Sequence, residues 1–106
     1  MYKIISLTLM MVLATAANAA GEITAIWFAG PDDPNHVDVV QIQISGGYSM
    51  VGCDSSYAAI RNDANRAHMI SFALAAYVSK DPVAVVLNPS DKYFSDRCTI
   101  SRISTD

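Results

Sequence analysis

Hydrophobic period changes twice along this chain, from two to helical and back to two, and each change coincides with turn chemistry. Residues 22–29 (EITAIWFA) are dense in β-branched and aromatic side chains and stop at Gly30-Pro31-Asp32-Asp33-Pro34-Asn35, whose prolines cannot extend a strand. In residues 37–45 (VDVVQIQIS), Val40, Ile42 and Ile44 alternate with Gln41 and Gln43, the pattern of a half-buried second strand. Gly46-Gly47 breaks it, and residues 48–53 followed by 56–60 read as a third strand, bent or bulged around Gly52. A helix then opens at Asn62 or Asp63 as N-cap and runs to about residue 79, with Lys80 at the negative pole of the dipole and Asp81-Pro82 as the stop. Ala67, Ile70, Leu74, Tyr77 and Val78 share one helical face. Residues 82–87 (PVAVVL) form a fourth strand, 88–97 (NPSDKYFSDR) a loop with two aromatics, and 98–103 (CTISRI) the last strand.

The order of three strands, one helix and two strands predicts an all-β barrel with one helix, OB-fold-like, the helix between strands 3 and 4 plugging one end. An open α+β sheet has the same order. In the barrel reading the Ala67, Ile70, Leu74, Tyr77 and Val78 face covers the mouth. Met69, Phe72, Ala73 and Ala76 make a second apolar group, which either wraps into the core or meets another subunit.

The N-terminus changes the counts. Lys3 precedes an apolar run over residues 4–13, followed by small residues and Ala17-Asn18-Ala19, the layout of a signal peptide spanning residues 1–19. The run is about half of the ~20 apolar residues a membrane span needs. Residues 20–106 are then a single exported domain, periplasmic or secreted, with no membrane span after signal removal. Its only cysteines, Cys53 and Cys98, meet an oxidising compartment and are expected to pair. Such a bridge stabilises a small domain with a thin core.

Charge excludes one class of partner. Once Lys3 leaves with the signal, six Lys and Arg face ten Asp and Glu, a net of −4 with no basic cluster, so nucleic acid is not an expected partner. Catalysis is not expected either. His36 and His68 are the only imidazoles, no nucleophile motif accompanies them, and oxidised cysteines are not nucleophiles. The acidic turn Asp32-Asp33-Pro34-Asn35-His36-Val37-Asp38 lacks EF-hand spacing, and no Cys-x-x-Cys pair exists for zinc. No metal or other cofactor is expected.

Sugar recognition asks for aromatic faces beside oriented polar groups. Trp27, Tyr48, Tyr57, Tyr93 and Phe94 are the aromatic candidates, with Asn88, Ser90, Asp91 and Lys92 in the loop before the last strand. Trp27 and Phe28 lie in a dense strand and are assigned to the core. Tyr93 and Phe94 either bind a ligand, with Asn88, Asp91 and Lys92, or cover the disulfide.

A cysteine near the third strand, the helix ending Ala75-Ala76-Tyr77-Val78-Ser79-Lys80, a short Val-rich strand and the closing Cys98, Ile100 and Ile103 together resemble small exported OB-fold proteins. These include the B subunits of pertussis-like and subtilase-cytotoxin-like toxins. The resemblance covers residues 50–103 and rests on common residue types. It implies a ring of five copies with helices around a channel, glycan sites on the barrel wall and an exported catalytic chain as cargo. Met69, Phe72, Ala73 and Ala76 would then be the oligomer face. The competing expectation is a monomeric periplasmic structural or stress protein with the same barrel and no sugar ligand.

Overall fold

Five strands form one closed sheet in the computed structural model, which describes residues 19–106. The signal peptide expected over residues 1–19 lies, apart from Ala19, outside the described residues. In chain order the elements are β1 (Ala19–Phe28), β2 (Val39–Ile44), β3 (Ala58–Arg61), a 3-10 turn (Ala64–Arg66), α1 (Ala67–Ser79), β4 (Pro82–Lys92) and β5 (Cys98–Thr105). Strand neighbours run β1-β2-β3-β5-β4, and the N-terminal half of β1 pairs back onto β4, Ala20 opposite Ala84. All pairings are antiparallel except β3 with β5, which meet in parallel at Ala59 and Thr99.

Closure places one face of every strand inside. Ile23, Val40, Ile42, Ile44, Ala58, Ile60, Val83, Val85, Leu87 and Ile100 line the interior, and burying each large aliphatic side chain is worth about 1.5–3 kcal/mol. Helix α1 seals this interior with the stripe Met69, Phe72, Ala73 and Ala76, in which Ala73 and Ala76 are buried. Of the two roles expected for that stripe, wrapping into the core or meeting another subunit, the single chain displays the first. Ala73 and Ala76 are small enough to let the helix backbone approach the sheet, whereas Leu74, Tyr77 and Val78, expected to plug the mouth, point outward. The helix ends where Lys80 turns left-handed (φ 61°) and its N–H, with that of Asp81, reaches the Ala76 carbonyl. Asp63 is the N-cap of the 3-10 turn, but its carboxylate pairs with Arg66 at 2.5 Å instead of capping the backbone.

Two segments differ from expectation. Residues 48–53 are not a strand. Gly47 (φ 68°) and Gly52 (φ 86°) take left-handed conformations, and a Cβ on Gly47 would lie 2.8 Å from the Ser55 carbonyl oxygen. Tyr48 instead drops into the core, its hydroxyl donating to the Ile42 carbonyl at 2.8 Å, and burial pushes its phenol pKa up. Residues 88–92, expected as loop, extend β4. The register slips between Asn88 and Lys92, an irregularity that accommodates Pro89 within the strand. The Cys53–Cys98 disulfide joins the 48–53 loop to the start of β5 across 45 residues. In the chain-entropy account such a closure is worth about 4 kcal/mol.

Candidate functional site

Two loops meet on the outside of the sheet beside β2. In the first, between β1 and β2, the Gly30 carbonyl accepts from the amides of Asp33 (3.2 Å) and Asp38 (3.1 Å). Asp33 Oδ1 accepts from the amides of Asn35 (2.9 Å) and His36 (2.7 Å), an Asx turn that holds the Asp33 carboxyl below its ordinary pKa. His36 Nδ1 lies 3.4 Å from the same oxygen. The second loop is the hairpin between β4 and β5. There the Tyr93 amide donates to the Arg97 carbonyl (2.8 Å) and the Arg97 amide to Phe94 (2.9 Å), with Ser95 and Asp96 left-handed. Tyr93 Oη donates to the Val37 carbonyl and the His36 ring meets Phe94 edge-on at 4.7 Å, so the two loops are tied together.

Arg97 lies between the Tyr57 and Phe94 rings and against Gln41 of β2. Its guanidinium carbon lies 4.6 Å from the Tyr57 ring centre and 4.8 Å from that of Phe94, a cation between two π-faces. Nη1 donates to Gln41 Oε1, which explains why Gln41, expected on a solvent face, is only 2% exposed. Nε is buried without a hydrogen-bond partner. Tyr57 is presented by an Asx turn in which Asp54 Oδ2 accepts from the Ser56 and Tyr57 amides, and its ring meets Trp27 edge-on at 5.9 Å. Trp27 and Phe28 are 56% and 57% exposed, and with Asp33, Asn35, His36 and Gln41 they border a shallow concavity of about 310 Å³.

The exposure of Trp27 and Phe28 overturns their assignment to the core. A register shift between Ile23 and Ala25 changes the alternation of β1, so Ile23 and Ile26 face inward and Trp27 does not, while Phe28 is the last residue of the strand. Of the five proposed ligand-binding residues, Tyr93 and Phe94 join this cluster. The other three are engaged elsewhere. Asn88 Oδ1 accepts from the Ser90 amide at 3.0 Å, Lys92 pairs with Asp96 at 3.4 Å, and Asp91 pairs with Arg61 at 2.5 Å while accepting from Thr99 at 3.0 Å. The Arg61 bond, with help from Thr99, holds the Asp91 carboxyl below its ordinary pKa. Arg61 also lies 5.6 Å over the Tyr93 ring.

Arg97, Arg61 and Gln41 escaped sequence reasoning because each acts through partners distant in the chain. The aromatic spacing did contain a signal: Tyr93 and Phe94 stand in a polar segment apart from any apolar run, whereas Tyr57 adjoins Ala58, Ala59 and Ile60. His68 is exposed on α1. Among the described residues, no group of three or more His, Cys, Asp or Glu side chains is placed to hold a metal ion, and no helix is long and apolar enough to cross a membrane. No family model, curated protein or solved structure matches the chain.

Proposed function

We propose that this chain is an exported, non-catalytic binding module of OB-fold-like architecture, similar in role to toxin B subunits, that recognises glycan through the Trp27 and Phe28 surface. The strand order, with β3 parallel to β5 and a helix between β3 and β4, supports the architecture. The observation that carries the binding reading is the exposure of two large neighbouring aromatics beside a concavity furnished with Asp33, Asn35, His36 and Gln41. Aromatic faces take the C–H side of a sugar ring, and the polar groups at the rim take hydroxyls. Leu74, Tyr77 and Val78 form the outward stripe on which copies would join into a ring of five, able to carry an exported catalytic chain.

The test is a glycan array probed with wild-type protein and with Trp27→Ala/Phe28→Ala. Binding by the wild type with loss of at least about tenfold in the variant, at unchanged melting temperature, is expected. Silence of the array, or binding indifferent to the substitutions, overturns the reading. Sedimentation tests assembly separately: a stable monomer removes the ring and favours the periplasmic structural role.

A further inference from the structure

Strand β5 has a strand on both sides only at its start. β4 runs beside it from Cys98 to Thr105, whereas β3 meets it at Thr99 alone. From Ser101 onward the far edge of β5 has no neighbouring strand, and Ser101, Arg102, Ser104 and Thr105 are exposed. On the β4 side, the Asp106 amide donates to the Pro82 carbonyl at 3.2 Å. That bond flanks the pair of Val83 with Thr105, so Thr105 is a non-hydrogen-bonded position toward β4, and by alternation so is Ile103 opposite Val85. The N–H and C=O groups of Ile103 and Thr105 therefore point to the open edge, where they offer a template for another strand.

The side chains of this edge are complementary to themselves. Arg102, Ser104 and Asp106 share the outer face, and all three are exposed. None of the four ion pairs among the described residues includes Arg102 or Asp106. Along one strand these two are about 13 Å apart, too far to pair with each other. When a second β5 is laid antiparallel on the open edge, with outward amides meeting outward amides, Arg102 falls opposite Arg102, Ser104 or Asp106 of the copy, according to register. Only the last joins opposite charges, and two-fold symmetry makes it do so twice. In that register Ser104 faces its own copy on the axis, and Ile103 exchanges hydrogen bonds with Thr105 of the copy. Thr105 borders a hollow of about 120 Å³ together with Phe72, Ala76 and Val83. Because opposed residues share a sheet face, Ile103 of the copy lies on the side of that hollow and brings apolar surface to it.

We infer that β5 is a self-recognition edge: two copies join antiparallel along residues 102–106, Arg102 of each opposite Asp106 of the other, and continue one sheet across both. This inference does not rest on the glycan-binding reading. Its two-fold contact also differs from the head-to-tail contact by which five copies would close a ring on Leu74, Tyr77 and Val78.

Sedimentation at about 0.5 mM is expected to show an even number of copies, two where no ring forms. Arg102→Asp and Asp106→Arg each set like charges against one another and are expected to weaken association at least about tenfold. The charge swap that combines them is expected to restore it, with the melting temperature unchanged throughout. Ser104→Cys tests the register. The chain's own cysteines are bonded to each other, and a residue on the two-fold axis has its copy's Cα about 4.5 Å away, so this thiol is expected to link two copies under oxidising conditions. Ser101→Cys, about 20 Å from its copy, is expected not to. A charge swap that fails to rescue, or equal cross-linking from both positions, overturns the inference. So does a ring of five whose mass ignores the substitutions, a result that leaves the proposed function standing. A single copy at that concentration overturns it too, and assigns Arg102 the opposite role of the charge that keeps this edge unpaired.

Discussion

Strand β2 is buried on both faces, by two different kinds of chemistry. Inward, Val40, Ile42 and Ile44 meet Ile60, Val83 and Val85 in an apolar interior where contact is non-directional. Outward, Val39 and Gln41 are equally hidden, but near Gln41 the cover comprises the Arg97 guanidinium and the rings it stacks on. The interior is built from many interchangeable contacts, so its stability is spread over the sheet. The outer cover depends on one cation brought in by a five-residue hairpin, and removing it strips a hydrogen bond and two stacking contacts together. A face built this way is more specific than it is stable, which suits a recognition surface.

The disulfide is where the two regimes are joined, because Cys98 lies in the core and directly follows Arg97. Replacing both cysteines by alanine is expected to lower stability by about 4 kcal/mol in denaturant unfolding and to loosen the outer cover as well. A loss below about 1 kcal/mol would mean that the hairpin is held by its stacking and hydrogen bonds alone. Interior truncation is next in size. Ile42→Ala removes a fully buried side chain from the sheet interior and is expected to cost about 3 kcal/mol by equilibrium unfolding, with little change at the outer surface.

These differences also govern what could be read from residues alone. The interior was legible because it obeys a period: Val40, Ile42 and Ile44 announce a face, and the switch to helical spacing after Asn62 marks α1. The strand count and helix position follow from such local rules, and the cysteine pairing from the presence of only two cysteines. Irregular backbone hid the rest. One register shift in β1 turns Trp27 out of the core, left-handed Gly47 and Gly52 convert a strand-like run into a loop, and Pro89 fails to stop β4 because its register slips there. On α1, Ala73 and Ala76 outranked Leu74 and Tyr77 because close approach to the sheet favours small side chains, a preference that hydrophobicity does not rank. Arg97 has no period at all, since Gln41 and Tyr57 reach it only through the tertiary fold.

The outer cover can be broken on its own. Arg97→Met keeps an apolar filler between Tyr57 and Phe94 but leaves the buried Gln41 amide oxygen without its donor. A loss of about 1–2 kcal/mol is expected, and pairing it with Gln41→Leu should recover much of that, because both polar partners are then gone. Additive losses in the double-mutant cycle would show that the two side chains contribute independently, against the single-cation account.

The smallest expected effect is a pH dependence at the edge of the same region. Asp91 has its carboxyl pKa depressed in the folded protein by Arg61 and Thr99, so the stabilisation is complete above the unfolded value near 3.8 and is lost as pH falls through the lower folded value. Because both partners are about one-third exposed, solvent screens the pair and the contribution stays below about 1 kcal/mol. Asp91→Asn should therefore lower stability slightly at pH 7 and flatten the acid limb of the stability profile below pH 4, measured by urea unfolding at a series of pH values. High salt should shrink the same difference, since it screens an exposed pair more than a buried one. If the acid limb is unchanged in the variant, Arg61 holds the hairpin through its contact with Tyr93, and the outer region is governed by cation–π stacking at both of its arginines.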